Sequence, residues 1–410
     1  MNSHANPRRE TPHLVIFAGG SGSRAINIAL AQSGLNVTRI VPAWDSGGSS
    51  KAIRERLSIL PVGDIRHALM TMAHGEGRAG DVVKIFNMRL ADHDDAAALA
   101  RELDFYLDGL HPAMQKMEPG LRGAILNYLR IFRSRVGADF DLRRGSVGNF
   151  VLAGAYLAHN DDINTAIFVF RKLCSIAGNV WPTSMDNDVQ LRAELRNGER
   201  VLGQDVITTL DAARATIGVS NVRLARVDAD GQDSLAGVAP NPAVLEAIAT
   251  ADVIIFGPGS FYTSVVPHVL VDRVAEAVAR RSEIPKIFVG NMLECVETLG
   301  LSLNRMVRTF AACCRTMTGD RYETRAFITH VLAHRSPTPF ARSVAGRRFV
   351  TFDEDDAAFC ASGVDIVCDD FEDPWQRGAH QASMITAAVM RLRPDARAAS
   401  ASTTRTHAGA

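Results

Sequence analysis

Hydrophobic positions recur along the chain in two periods, and the alternation between them sets out an architecture. His13 to Ala18 is a short apolar run of strand character that stops at Gly19-Gly20-Ser21-Gly22-Ser23, after which Ile26, Ala29 and Leu30 return at helical spacing. Val37 to Ala43 repeats the device as a second apolar run ending in Trp44-Asp45-Ser46-Gly47-Gly48-Ser49-Ser50. The spacing is then mostly helical over Asp64 to Met72, Val82 to Leu90, Ala96 to Leu107, Leu121 to Arg135 and Val147 to His159, which predicts a helical insertion at about 64–160. Short alternating segments at Val201 to Leu210 and Asn221 to Val227, with turn signals at Asn197-Gly198 and Asp230-Gly231, predict a strand-rich flap at about 197–235.

The opening order then returns. Asn241 to Thr250 reads as a helix, Asp252 to Phe256 as a buried strand, and Gly257-Pro258-Gly259-Ser260 as a loop entering another helix. Further strands are expected at Lys286 to Gly290, Ala326 to Ala333 and Val364 to Val367, with helices at Leu301 to Met317 and Gln381 to Leu392. Strands that end in glycine loops and alternate with helices argue for an α/β fold, a doubly wound and mostly parallel sheet covered on both faces. Residues 13–393 form a single domain on this reading, between a flexible N-terminus (1–12) and a disordered tail (394–410) rich in Ala, Ser and Thr.

Composition narrows the partners. The 410 residues are 47% hydrophobic and 22% charged, enough apolar material for a sizeable core. Lys and Arg total 45 and so do Asp and Glu, so the chain lacks the basic excess that tracks a nucleic-acid backbone. The six cysteines form no C-x-x-C pair, which reads as reduced thiols in a cytoplasmic protein. Neither a signal peptide nor a membrane span is expected, since the start is polar and no stretch reaches eighteen uninterrupted apolar residues.

The glycine loops carry the candidate chemistry. Gly20-Ser21-Gly22-Ser23-Arg24-Ala25 fits G-x-G-x-x-A between a strand and a helix, where bare backbone amides and the helix dipole stabilise a phosphate; the alternative is a tight turn with no ligand. Asp45 stands where dinucleotide-binding domains place an acid against the ribose, yet it is equally suited to capping the turn that follows. The serines and glycines after it, with Lys51, Arg54 and Arg56, suggest a second anion loop. Asp64 precedes a helical pattern and reads most simply as its N-cap. Gly257-Pro258-Gly259-Ser260-Phe261-Tyr262-Thr263-Ser264 would place amides and hydroxyls at the same sheet edge as the first loop.

In this order the motifs resemble the family that comprises the phospholactate transferases of deazaflavin biosynthesis (CofD) and the gluconeogenesis factors (YvcK). The pieces that carry the likeness span about residues 13 to 305. They are Gly19-Gly20-Ser21-Gly22, Asp45-Ser46-Gly47-Gly48-Ser49-Ser50, Leu60-Pro61-Val62-Gly63-Asp64-Ile65-Arg66, Gly145-Ser146-Val147-Gly148-Asn149, the Gly257 to Ser264 loop, and Asn291. Several look like the gluconeogenesis-factor branch.

The resemblance implies a Rossmann-like fold, a homodimer and a nucleotide diphosphate ligand; NAD is not expected, because no catalytic His-Asp pair is apparent by spacing. Its branches differ in use: one binds a UDP-sugar in a regulatory role, and the other passes a phosphorylated three-carbon acid from a guanylyl donor to an alcohol with magnesium. Phosphates are then expected on Gly19, Gly20, Ser21, Gly22, Ser23, Gly257, Pro258, Gly259 and Ser260. Further ligand contacts are expected from Ser49, Ser50, Arg66, Asn149, Thr263, Ser264 and Asn291, catalytic roles from Asp45 and Asp64, and magnesium on Asp45. Ser46 departs from the family's two adjacent acids, which removes one potential metal ligand and favours a sensor over a transferase.

Overall fold

The computed structural model describes residues 11–20, 22–73, 78–93, 95–227, 233–235, 237–335 and 343–393. Ser21, the Asp230-Gly231 turn and the tail from 394 therefore lie outside the described residues.

Seven strands build the central sheet: β1 (His13–Phe17), β2 (Asn36–Val41), β3 (Asn179–Pro182), β4 (Val253–Phe256), β5 (Lys286–Val289), β6 (His330–His334) and β7 (Asp365–Asp369). They pair in the order β7-β6-β5-β4-β1-β2-β3, and every pairing is parallel. All residues of β1, β4 and β5 are buried, which explains why their sequences read as unbroken apolar runs rather than alternating ones. Phe17 of β1 stacks on Phe256 of β4 with centroids 5.2 Å apart, fastening the two central strands through their side chains as well as their ladder.

The order of the strands fixes where a site can form. From β1 the chain winds outward through β2 to β3, then returns to the other side of β1 for β4 and continues to β7. The loops after β1 and β4 consequently leave adjacent strands in opposite directions and open a crevice at the carboxyl edge. At Gly19 a Cβ would lie 2.6 Å from Pro42 Cγ, so only glycine lets the loops after β1 and β2 close to this distance.

Helices α1 (Arg24–Gln32), α2 (Gly48–Leu57) and α3 (Gly63–Met72) follow the first two strands directly. The helical region between β2 and β3 runs on through α4 (Val147–Ala158) to Ile163–Leu173, beyond the expected end near 160. Other elements also depart from expectation. Val201 to Leu210 is strand only to Leu202 and then forms the short helix Gln204–Thr208, while the flap's longest early strand, Val189–Leu195, begins before the predicted flap. Ala326 to Ala333 divides into a helical turn, Thr324–Phe327, and β6.

Candidate functional site

Four chain segments meet around the turn after β1. α1 has no side-chain cap among the described residues, so the amides of its first turn are left for another acceptor. Ser23, expected to face a phosphate, is buried instead, and its hydroxyl accepts from Asn27 Nδ2 at 2.7 Å. Gly20 has φ +69°, a conformation that favours glycine, and its amide is directed at the carboxylate of Asp64.

Asp64 is not the N-cap of α3; Val62 occupies that position, and Asp64 lies in the helix's first turn. Its carboxylate faces Asp45 instead. Asp45 accepts from the Gly47 amide at 2.9 Å, from the Ser50 hydroxyl and from the Asp64 amide, so it does cap its own turn while sharing a pocket with a second acid. At Gly63 a Cβ would come within 2.2 Å of Asp45 Oδ2, and the Gly63 amide donates to Ser50 Oγ at 3.1 Å. The Pro-Val-Gly-Asp piece thus brings the second carboxylate in against the first.

Burial pushes both acids up. Asp45 is raised chiefly by loss of solvent, against its three hydrogen bonds. Asp64 is raised to about 7, first by burial and then by the charge of Asp45, with Arg39, the Gly20 amide and Arg66 pulling the other way. Asp64 Oδ2 is sealed from solvent and has no hydrogen-bond partner. A buried and a half-buried carboxylate, with one unmet oxygen, form a place where a cation would be stabilised.

Beside the acids, Asn149 near the start of α4 donates from Nδ2 to Ser49 Oγ at 3.0 Å and accepts from Arg66 Nε at 3.2 Å. The structure therefore gathers Asp45, Ser49, Ser50, Asp64, Arg66 and Asn149 into one network on the β2 side of the glycine turn. Ser46 leaves that network, giving its hydroxyl to Asp205 Oδ1 of the flap at 2.8 Å.

On the β4 side lies a cleft of about 850 Å³, whose walls include Gly19, Gly20, Gly22, Pro258, Gly259, Ser260, Ser264 and Asn291. The acid network does not line this cleft; Gly20 joins the two halves. Asn291 holds the far loop by donating from Nδ2 to Gly259 O at 2.8 Å. Gly257, at φ +74°, donates to Phe17 O at 2.8 Å and is part of the frame.

The loop after β4 differs from expectation at its helical end. Glu297, 3% exposed, accepts from the Tyr262 amide at 3.0 Å and from the Thr263 hydroxyl at 2.8 Å, with the Thr263 amide and Ser260 hydroxyl also directed at it. The protein's own carboxylate thus takes up the donors at the helical end of the loop, and Thr263, expected to contact the ligand, is turned inward, while Pro258, Gly259 and Ser260 still line the cleft. Burial raises Glu297 to about 7 despite these donors. No sequence signal marks it, because it is one glutamate in an irregular segment between β5 and the next helix.

Among the described residues no helix is long and apolar enough to cross a membrane. Comparison with known proteins gives a consistent family. The description "2-phospho-L-lactate transferase CofD" belongs to a family model that matches residues 14–372. The chain is 28% identical over 287 residues to the gluconeogenesis factor of Listeria monocytogenes, covering 70% of this chain and 69% of that one. With the gluconeogenesis factor of Bacillus subtilis it shares 27% identity over 284 residues, 69% of each chain. A longer Nostoc sp. relative, 29% identical over 320 residues, is matched over only 55% of its length against 78% of this chain. The crystal structure of a UPF0052 family member from Bacillus halodurans shares the fold, with a TM-score of 0.68 at 24% identity over 93% of this chain and 100% of that one. With glycine turn, acid loop and β4 loop all inside the matched span, the chain belongs to the CofD family.

Proposed function

We propose that the protein binds a nucleotide diphosphate conjugate such as a UDP-sugar, with phosphates at the Gly20 to Gly22 turn and magnesium on Asp45 and Asp64, and that it acts as a metabolic sensor. The observation that carries this reading is the pair of facing carboxylates, Asp45 buried and Asp64 half-buried, set beside the Gly20 amide at the point where the strand order reverses. Magnesium fits the residues present, because it is commonly held by one or two carboxylates together with water and phosphate oxygens. Among the described residues no group of three or more His, Cys, Asp or Glu could hold an ion alone, so the conjugate's phosphates would complete the shell. The ion would supply charge neutralisation at those phosphates. The uncapped α1 amides would bind oxygens on the cleft side, while Asn149 and Arg66 hold Ser49 in place.

A second reading, transfer of a phosphorylated three-carbon acid from a guanylyl donor to an alcohol, is favoured by the same pair. Asp64 supplies beside Asp45 the acid that Ser46 lacks, so the substitution at 46 no longer argues against chemistry. A calorimetric panel of UDP-sugars, GDP, GTP and NAD, with magnesium and with chelator, tests the binding reading. Magnesium-dependent binding of a nucleoside diphosphate supports it, and preference for NAD without magnesium overturns it. Turnover of guanylyl phospholactate with a deazaflavin alcohol would decide for the transferase.

A further inference from the structure

The outer wall of the cleft comes from chain beyond the matched span. Gln376, Gly378, Ala379, His380 and Ala382 line it, although the family match ends at residue 372. The wall is fixed from several sides. Asp373 N donates to Ala379 O at 2.8 Å, Gln381 N donates to Phe371 O at 2.7 Å, and the helix that follows, Ala382–Arg391, packs on α1.

His380 brings to this wall a lone pair that the fold leaves unused. The residue is 8% exposed, and its Nε2 lies 2.9 Å from the carbonyl oxygen of Gly290, the residue after β5. A carbonyl oxygen only accepts, so the proton of the neutral ring sits on Nε2 and Nδ1 is left as a bare acceptor. Burial, aided by His334 and opposed by the Gly290 bond, holds the pKa down at about 4, so the ring carries no charge in neutral solution. Nδ1 has no hydrogen-bond partner among the described residues, yet it is not sealed from solvent as Asp64 Oδ2 is. An accessible lone pair on a buried ring that lines the cleft is placed to meet what the cleft holds.

The other polar groups of the cleft leave that place for a hydroxyl. Among the described residues no Asp or Glu lines the cleft, whereas Arg24, Arg347 and the glycine turns do. Guanidinium and amide donors suit phosphate oxygens, but they offer nothing to the proton of a ligand hydroxyl. The lone pair also stands near the phosphate end, because Gly290 adjoins Asn291, which holds Gly259 O at 2.8 Å. We propose that His380 Nδ1 accepts a hydrogen bond from a hydroxyl on a sugar ring joined to the bound diphosphate. The proposal rests on the phosphate reading above and adds a contact that recognises what the phosphates carry.

The test is calorimetric titration of the full chain, with magnesium, against UDP and GDP, their 2′,3′-dideoxy forms, UDP-glucose and GDP-mannose. The dideoxy arm reports a ribose hydroxyl and the hexose arm a hydroxyl of the carried sugar. On one arm wild type should gain about fivefold or more in affinity from the hydroxyl-bearing ring, the scale of one hydrogen bond. Two variants separate contact from support. In His380→Gln the amide can keep the bond to Gly290 O but leaves no acceptor at Nδ1, whereas in His380→Asn the amide oxygen reaches the Nδ1 position and gives up Gly290. His380→Gln should erase the gain while binding the poorer ligand of that arm within about twofold of wild type, and His380→Asn should keep part of it. A gain that survives in His380→Gln would overturn the proposal, and so would wild type showing no gain on either arm while still binding UDP or GDP. Weaker binding of every ligand in His380→Asn, with His380→Gln like wild type, would overturn it in favour of a structural tie to Gly290. Failure of wild type to bind any of these nucleotides would contradict the phosphate site itself and this contact with it.

Discussion

Replacing Asp64 by asparagine should make stability less dependent on pH, and the size of the effect follows from its surroundings. Asp64 is raised from 3.8 to about 7 by burial and by Asp45. Between pH 5 and pH 7 the native chain therefore holds a proton that the unfolded chain has released, and stability falls as pH rises by about 1.4 kcal/mol per pH unit. Over that interval the effect is on the order of 1 to 3 kcal/mol, and because Asp64 is half-buried the lower part of that range is expected. Asparagine keeps an acceptor for the Gly20 amide and cannot ionise. The difference in unfolding free energy between Asp64→Asn and wild type should thus shift by about 1 to 2 kcal/mol in favour of the variant from pH 5 to pH 7, read by urea denaturation. Magnesium with a nucleoside diphosphate should restore the wild type at pH 8 and leave the variant unaffected. A variant-to-wild-type difference that stays constant with pH would show that the two acids are not coupled, and the argument for a cation between them would lose its basis.

Gly22→Val should abolish nucleotide binding without unfolding the protein: Gly22 is exposed and a Cβ there meets only Gly259 Cα at 3.7 Å, whereas the branched side chain fills the space of a phosphate. Losing two or three amide bonds to a charged oxygen costs about 4 kcal/mol, near a thousandfold in affinity by calorimetry, and an unchanged affinity would remove the turn from the site. Glu297→Ala should destabilise by about 3 kcal/mol or more in denaturant, because the Tyr262 amide and Thr263 hydroxyl lose a buried acceptor, while Glu297→Gln should cost about half as much. A loss under about 1 kcal/mol for the alanine variant would mean that Glu297 does not hold the loop.

The legible parts of the molecule were those where one physical effect acts alone. β1, β4 and β5 are short, wholly buried strands in a parallel sheet, so they stand out as apolar runs, and the glycines after them mark the turns. β3 was missed because it has four residues, Asn-Val-Trp-Pro, at the sheet's edge, where one face carries no apolar demand. Val189–Leu195 alternates in burial as an antiparallel strand should, yet its charged outward residues blend with the loop before it. Within the site, local turn chemistry revealed Asp45, since the Gly47 amide is two residues away. The pairing of Asp64 with Asp45 depends on how α3 packs after the β2 loop, and Glu297 reaches Thr263 across 34 residues. Neither contact leaves a periodic trace in the sequence.

The central claim is that phosphates and a divalent ion meet at the Gly20 turn through Asp45 and Asp64. Its most direct test is the affinity for UDP and GDP of wild type and Asp45→Asn, each measured with magnesium and with chelator. Wild type should bind the preferred nucleotide at least tenfold more tightly with magnesium, and Asp45→Asn should bind it equally weakly in both conditions. Wild-type binding that is indifferent to chelator, or an Asp45→Asn protein that keeps the full magnesium increment, would contradict the account.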